Sequence, residues 1–470
     1  PMLVGITVMP EYFQSESVNG VLDRLERLAG VNAVTTSPYV MAAADRQTGF
    51  REPPIDAGAG KVRLLDRTLW GKRELWARTA PSFQPDLDLY RGLRYQPPAS
   101  DDLTRKQGPL VGEFIRNAQS RGLKVYLQVQ AAIPPGYRVQ FGQPERDDCP
   151  RLPDGSIPKR RLSANGSLAS PHIRDYALAL LRDLCRQYPT VDGLRLDWPE
   201  YPPYLLDSIF LDFGEHARGQ ARRMGLDFNR MRSAAAALYD RLHGGLTDGD
   251  LRICAESDSL GEVRRHLLPE ATGLEEWTGF KASLVESLHA DFRQAMNEAG
   301  GARMELRPNA FPPPWNILSG LDYGRVSPYS SAISVKLYTM HWPMMLRFYG
   351  DRLSLANPGV SERLLVRALA RLFDTGQEPA PARLEDFRYP SPEEPHPVGA
   401  AAQHRKIAQA QLQAGRTPVC TLAHAYGPTP DFRNRLQAAR SASRHGFWIN
   451  RYGHLSDEKL GIVGEVAGLA

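Results

Sequence analysis

One stretch, residues 191–204, constrains the fold more than any other part of this chain, because it predicts a strand with a fixed end. Two leucines alternate there with Arg195 and Asp197, so aliphatic side chains occupy one face and charged side chains the other. Pro199 and the prolines that follow it lack the N–H that a sheet requires, and the strand therefore ends just before them.

A strand with these two faces is typical of an α/β barrel. Its aliphatic face packs on helices, its polar face points into the barrel, and Asp197 lies nearest the mouth, where such barrels build their sites. Because buried charges are costly without partners, we expect Asp197 to pair with Arg195, the nearest candidate, or with another cation. A purely structural ion pair is the alternative, but Glu200 and the prolines beside it favour a functional mouth.

Eight segments have strand character, which is the number that closes one barrel. A further run at 251–256 could instead be the fifth strand; we assign it to an insertion, since this keeps the first and last strands adjacent. The predicted fold class is therefore α/β, a (β/α)8 TIM barrel in a single catalytic domain over 1–470. Its insertions are a long loop after strand two (40–106) and a largely helical segment after strand four (205–300). The eight segments begin near residues 3, 31, 124, 192, 303, 333, 418 and 447.

The loop at 40–106 has no sustained periodicity but is rich in aromatic residues. Disordered segments are poor in aromatics, so we expect an ordered flap that covers the mouth. The aromatic residues that would form this roof are Trp70, Trp76, Phe83, Tyr90 and Tyr95.

Composition limits the partners. The net charge is +5, but the arginines are spread along the chain rather than gathered into a basic patch, so we expect no nucleic acid. No apolar run is long enough to span a membrane. Widely separated cysteines, two of them in buried patterns, indicate free thiols, and together with an N-terminus that enters a strand at once they favour a cytoplasmic location. A signal peptide removed during maturation would leave no trace in this sequence. The sequence is also compatible with a homodimer.

The region from Ser170 to Tyr204 carries a family resemblance. Ser-Pro-His-Ile-Arg-Asp-Tyr, a helix, and then Tyr-Pro-Thr-Val-Asp-Gly-Leu-Arg-Leu-Asp ending at Asp197 resemble the approach to strand four in glycoside hydrolases with (β/α)8 barrels. The Gly-x-Arg-x-Asp core that begins at Gly193 is also similar to the strand-four motif of the α-amylase superfamily, whose aspartate is the nucleophile. The resemblance implies a carbohydrate-active barrel with a carbohydrate as its partner.

Glycoside hydrolysis requires two carboxyl groups, one ionised and one able to deliver a proton. Asp197 suits the ionised role of nucleophile or stabiliser. For the proton donor, Glu305 on strand five lies at a place comparable with the acid/base glutamate of the α-amylase superfamily. Glu200 lies closer in sequence, Glu256 qualifies only if 251–256 is a barrel strand, and Glu11 ends strand one, a less usual place for a donor.

Spacing leads to an expected stereochemistry. Neighbouring strands are about 4.8 Å apart, and retaining enzymes hold their carboxyl groups roughly 5–5.5 Å apart, so the pair Asp197 and Glu305 predicts retention. The carboxyl group of Glu200, which follows Pro199, would instead lie at the longer distance from Asp197 that is typical of inverting enzymes. Two arginines, Arg303 and Arg307, oppose the assignment, because they would hold Glu305 ionised.

Sugar sites combine aromatic platforms with hydrogen-bonding side chains, and the predicted strand ends are rich in both. Lys336 faces inward on strand six and is expected to pair with Glu305, or to bind an acidic sugar. Tyr126 and Trp315 also fall at strand ends. The predicted substrate-binding residues are Arg195, Tyr39, Gln128, Gln130, Asn309, Lys336, Tyr338, His341, Trp342, His424, Asn450, Arg451 and Tyr452.

Other classes of enzyme lack their motifs. The sequence has no Gly-x-Ser-x-Gly elbow, P-loop or dinucleotide fingerprint, and its eleven histidines form no His-x-His or His-Glu-x-x-His pattern. We therefore expect no cofactor and no metal. Two hypotheses stand: a glycoside hydrolase acting on an oligo- or polysaccharide, or a non-catalytic barrel that binds carbohydrate. A transglycosidase or lyase would use the same site.

Overall fold

Eleven strands make up the two sheets of the protein, which we describe from a computed structural model over residues 2–55, 63–162, 164–269 and 272–468. Eight of them are the barrel strands predicted from the sequence, with ends shifted by a few residues. The strands are β1 (Leu3–Thr7), β2 (Ala33–Thr36), β3 (Tyr39–Ala43), β4 (Phe50–Glu52), β5 (Leu75–Pro81), β6 (Lys124–Gln130), β7 (Gly193–Asp197), β8 (Glu305–Ala310), β9 (Ile333–Leu337), β10 (Val419–His424) and β11 (Gly446–Asn450).

The barrel is closed and parallel, in the order β1, β2, β6, β7, β8, β9, β10, β11 and back to β1. This confirms the predicted (β/α)8 barrel. The first and last strands are adjacent, with Val4 opposite Phe447. Inside the barrel, Tyr126 and Trp448 pack edge to face with ring centroids 5.5 Å apart, so the lower interior is a filled core rather than a channel.

Helices surround the barrel and also form the predicted insertion after β7, which begins with α6 and continues through α9. None of the helices in the described ranges is long and apolar enough to cross a membrane. The helices are α1 (Pro10–Glu16), α2 (Val18–Arg24), α3 (Asp102–Gln107), α4 (Pro109–Ser120), α5 (Pro171–Gln187), α6 (Glu215–Arg223), α7 (Phe228–Leu242), α8 (Asp248–Glu256), α9 (Leu260–Leu267), α10 (Thr272–Glu298), α11 (Trp315–Ser319), α12 (Tyr323–Val326), α13 (His341–Ala356), α14 (Glu362–Phe373), α15 (Ala400–Ala414), α16 (Thr429–Ala442) and α17 (Asp457–Ala467).

Residues 251–256 are helical, so the alternative strand count is wrong. They form the last turns of α8, whose capping box at Thr247 and Asp250 starts a helix that the short apolar run alone did not reveal. Glu256 is the final residue of this helix and is exposed. It therefore lies on no barrel strand, and the condition for a catalytic role is not met.

The described parts of the segment after β2 hold regular structure, but the aromatic residues named for the flap do not line the mouth pocket, and that part of the prediction is wrong. Strands β3, β5 and β4 form a small antiparallel sheet, and the chain beyond it runs along α5. Tyr90 and Tyr95 pack against Tyr176 of that helix, with ring centroids 5.7 and 6.2 Å apart. The described parts of the segment that reach the mouth are instead Pro54 and Arg63.

Candidate active site

A pocket with a cavity volume of about 80 Å³ lies at the carboxyl ends of the barrel strands. It brings together many of the residues predicted to bind substrate, because the ends of parallel strands converge at one face of the barrel. The predicted residues that line it are Gln128, Gln130, Asp197, Lys336, Tyr338, His341, His424, Asn450 and Arg451.

Asp197 is held by a lysine rather than by the expected arginine. Lys336 Nζ lies 2.9 Å from Asp197 Oδ1, and Gln130 Nε2 donates a longer hydrogen bond of 3.4 Å to Oδ2. Both side chains line the pocket, and the Asp197 side chain is the more accessible of the two, at 19% exposed against 2% for Lys336. The expected cationic partner is present, but it comes from β9.

Arg195 does not bind Asp197, and the predicted pair is wrong. Its guanidinium donates to Thr35 Oγ1 (3.1 Å) and Asn309 Oδ1 (2.9 Å) and stacks over Trp448, 3.9 Å from the ring centroid. Complete burial, together with the charge of Arg307, lowers the pKa of Arg195 to about 10. Residues two apart on a strand share a face but lie in different layers of the barrel, so this arginine belongs to the layer beneath the site.

Glu200 is a wholly buried carboxyl group just beyond the strand that bears Asp197. Its Oε2 accepts a hydrogen bond from Ser319 Oγ (2.8 Å), and its Oε1 forms none of normal geometry in the described part of the chain. Burial raises the pKa of Glu200 to about 7, although Lys336 opposes the shift. A carboxyl group in this state can carry a proton near neutral pH.

Glu305 lies at the opposite end of the barrel, so the predicted pairing with Asp197 at the mouth is wrong. It is the first residue of β8 and is opposite Gly193, the first residue of β7. Lys124 Nζ (2.8 Å), Tyr126 Oη (3.0 Å) and Arg307 Nε (2.5 Å) all contact its carboxylate.

The charges around Glu305 also leave it unsuited to proton donation. Partial burial alone would raise the pKa of Glu305, but Arg307 and Lys124 outweigh that effect and lower it. The expected pair between Lys336 and Glu305 is wrong for the same geometric reason, because Lys336 reaches Asp197 at the mouth.

A buried ion network forms one wall of the pocket. Arg138 contacts Glu11 (2.8 Å) and Glu52 (2.9 Å), and Arg451 also binds Glu52 at 2.5 Å. Both carboxylates are fully buried, and Tyr39 Oη donates to Glu11 at 2.9 Å. Glu11 lies in the first turn of α1 rather than at the end of β1, so the network joins α1, the loop after β6, the end of β11 and the small antiparallel sheet, and it fixes that sheet to the mouth.

Histidines add neutral hydrogen-bonding groups to the pocket. Burial lowers the pKa of His424 well below its usual range, with the neighbouring His454 acting in the same direction. The ring of His424 packs edge-on against Tyr338, with centroids 5.0 Å apart. A neutral imidazole beside a phenol is suited to bind hydroxyl groups.

Several predicted residues lie outside the pocket. Tyr39 faces Glu11, Asn309 binds Arg195 in the layer below, and Tyr452 donates to Glu16 at 2.7 Å. Trp342 is buried against Trp315, with ring centroids 5.7 Å apart, because both form part of the packing between helices. Tyr126 is bound to Glu305 at the other end of the barrel.

Other pocket residues were not predicted. Trp198 follows β7 directly and has φ of 49°, a left-handed conformation that is unusual for a bulky residue and turns its side chain into the mouth. Its position just after the strand was a usable signal. The rest come from loops, where no periodicity marks them: Met9, Pro54, Arg63, Arg138, Val139 and Tyr204.

Comparisons with known proteins give only remote likenesses. No family model and no curated protein matches the chain. Among solved structures, the catalytic domain of a β-amylase from Paenibacillus polymyxa is similar at 10% identity and a TM-score of 0.49, covering 99% of this chain and 96% of that one. A class V chitinase from Pseudomonas fluorescens Pf-5 has 9% identity, a TM-score of 0.43 and coverage of 99% and 100%. A Group IV chitinase from Ostrinia furnacalis has 10% identity, a TM-score of 0.41 and coverage of 99% of each chain. At these TM-scores the neighbours add nothing to the barrel topology described above.

Proposed function

We propose that the chain is a glycoside hydrolase that cleaves an oligo- or polysaccharide in the mouth pocket. The observation that carries this proposal is a pair of carboxyl groups placed in unlike environments at the end of one strand. Asp197 faces the pocket and is paired with Lys336, whereas Glu200 is buried with its pKa raised to about 7. A glycosidase requires one carboxyl group that can carry a proton and one that can act as a carboxylate, and different environments provide both at one site.

In the proposed reaction, Glu200 gives its proton to the glycosidic oxygen as the bond from that oxygen to the anomeric carbon breaks. Asp197, held in position by Lys336, stabilises the positive charge that develops on the sugar ring or attacks the anomeric carbon directly. Water then completes hydrolysis. This assignment moves the donor role from Glu305 to Glu200.

We also propose that the anomeric configuration is retained. This proposal rests on the similarity of Gly193–Asp197 to the strand-four motif of the α-amylase superfamily, whose aspartate is the nucleophile, because a nucleophilic carboxylate leads to retention. Proton NMR of the first-formed product distinguishes the two, and an inverted anomer would contradict the proposal.

The remaining pocket residues suit a sugar. Gln128 and Asn450 provide amide donors and acceptors, and the edges of Trp198 and Tyr204 add aromatic surface to the lining. The combination supports carbohydrate as the ligand class without selecting a particular sugar or linkage.

A non-catalytic carbohydrate-binding barrel is the second candidate, and one observation favours it. Among the described residues that line the pocket, Asp197 is the single acid, because Glu200 is fully buried behind it. A transglycosidase or lyase would use the same two carboxyl groups as a hydrolase.

Asp197→Asn separates the two candidates. Turnover is measured on a panel of aryl glycosides and oligosaccharides, and binding of the same oligosaccharides is measured by calorimetry. A hydrolase loses turnover by a factor of about 10³ or more while it still binds sugar, because the charge is required in the transition state rather than for binding. Glu305→Gln is the matched control and keeps wild-type turnover. Binding without turnover in the wild type itself would establish the second candidate.

A further inference from the structure

A cluster of metal-ligating side chains lies outside the mouth pocket. Asp148 is in the loop after β6, His172 is in the first turn of α5, and His216 is in the first turn of α6. One ligand atom from each residue lies within 4.8 Å of the other two. The three residues are far apart in the sequence, and their spacing matches no metal motif.

The carboxylate of Asp148 is buried and oriented by neighbours. Ser170 Oγ donates to Oδ1 at 2.6 Å, while Tyr95 Oη (2.5 Å) and Arg94 (3.0 Å) occupy Oδ2. Outer hydrogen bonds of this kind hold a ligating carboxylate in one direction. Since Arg94 takes the far oxygen, its charge does not block Oδ1, which faces the histidines.

The two histidines lie beside the Asp148 carboxylate. His216 Nε2 lies 3.0 Å from Asp148 Oδ1, and the His172 ring stands edge-on to the His216 ring with centroids 5.6 Å apart. His172 forms no hydrogen bond within the described ranges, so its ring nitrogens are available to an ion. Both rings are partly exposed, which leaves an entry path and room for a water ligand.

We propose that Asp148, His172 and His216 form a binding site for a first-row divalent cation, with Zn²⁺ as the best fit. Two imidazole nitrogens and one carboxylate oxygen are ligands that zinc accepts, and a solvent molecule would complete four-coordination. The ion would replace the direct contact between His216 and Asp148 and draw the three ligand atoms together. It would join the loop after β6, α5 and the helical insertion, so its role is to stabilise the fold rather than to act in the mouth pocket.

Metal content tests the site directly. The full chain is stripped with a chelator, dialysed against Zn²⁺ and measured by mass spectrometry of the metal, and Co²⁺ is bound in parallel so that its visible absorption reports the coordination geometry. We expect one ion per chain, a Co²⁺ spectrum of the four-coordinate type and a higher unfolding temperature with metal than without.

Two histidine variants and one control decide the assignment. His172→Ala and His216→Ala should each weaken Zn²⁺ binding by about 100-fold or more, since loss of a direct ligand costs at least as much as loss of an outer partner. His404→Ala removes a partly exposed histidine that binds Ser441 on another helix, and it should bind zinc as the wild type does. Zinc content well below one per chain, or unchanged affinity in the double variant His172→Ala/His216→Ala, would overturn the site. The readouts do not involve sugar turnover, so they stand apart from the proposed hydrolase.

Discussion

The two ends of the barrel each hold a carboxylate against a lysine at almost the same distance. At the mouth, Lys336 Nζ lies 2.9 Å from Asp197, and at the base, Lys124 Nζ lies 2.8 Å from Glu305. The lysines differ in exposure, because Lys336 is 2% exposed and Lys124 is 52% exposed. Solvent screens the pair at the base, whereas the pair at the mouth is enclosed by a pocket.

A carboxylate paired with a lysine does not by itself make a catalytic site. Glu305 is saturated with donors from Lys124, Tyr126 and Arg307, and these keep it ionised. The mouth instead has a second carboxyl group, Glu200, whose burial favours the neutral form. Of the two ends, the mouth therefore combines a carboxyl group paired with a cation and one whose burial favours the neutral form.

The largest expected effect is on catalysis. Glu200→Gln should lower turnover of unactivated glycosides by a factor of about 10²–10⁴, the usual contribution of a general acid. Glycosides with strongly acidic phenols as leaving groups need no protonation, so the variant should recover much of its activity on them. Glu305→Gln, the matched change at the base, should leave turnover unchanged. If Glu305→Gln lost activity and Glu200→Gln did not, the roles of the two ends would be reversed.

The next effect concerns the ion network at the mouth, whose two glutamates are fully buried, whereas the Glu305 side chain is 22% exposed. Arg138→Met leaves Glu11 and Glu52 with less compensation, and breaking such a buried network typically costs about 3–5 kcal/mol of unfolding free energy. Urea denaturation of variant and wild type measures the difference. Arg78→Met removes an exposed pair with Asp101 and should cost less than about 1 kcal/mol. Equal losses in the two variants would mean that the network contributes little.

A third effect distinguishes the two ends by the sign of their pH dependence. Burial raises the pKa of Glu200 from its ordinary 4.5 to about 7, so its neutral form is favoured in the folded state. Its contribution to stability is complete below pH 4.5 and is lost as the pH rises through about 7, a change of about 3 kcal/mol relative to Glu200→Gln.

Glu305 should show the opposite sign. Its pKa is lowered in the folded state, because Arg307 and Lys124 outweigh the opposing effect of burial. Its contribution is therefore present above pH 4.5, the ordinary value, and is lost as the pH falls through the folded-state value. Chemical denaturation from well below pH 4.5 up to pH 8 measures both, with Glu200→Gln and Glu305→Gln as the references. The same sign for both glutamates would contradict the environments described here.

The smallest effect compares the two lysines. Lys336→Met leaves Asp197 in the pocket without its cation and should cost about 2 kcal/mol, less than a fully buried pair because Asp197 is partly exposed. Lys124→Met should lower the free energy of unfolding by less than about 1 kcal/mol, because Glu305 keeps its hydrogen bonds from Tyr126 and Arg307. Lys336 also lowers the pKa of Glu200, so its removal should move the alkaline limit of activity to higher pH. An unchanged alkaline limit would show that the lysine does not act on the proton donor.

Much of the fold could be predicted because its signals are local. Alternation along 191–204 and in seven other segments predicted the strands, and the position of Asp197 at a strand end placed it at the mouth. Glu305 was misplaced because the predicted strand began two residues early, at Arg303. This put Glu305 inside the strand, whereas it is the first residue of β8.

What the sequence by itself determined is therefore the barrel and the strand ends that build its mouth, since backbone periodicity and prolines act over a few neighbouring residues. Tertiary structure alone decided the partners. Lys336 rather than Arg195 meets Asp197, because the stagger of strands in a closed barrel sets which side chains share a layer. His172 and His216 likewise meet at Asp148 because two helices start beside one loop.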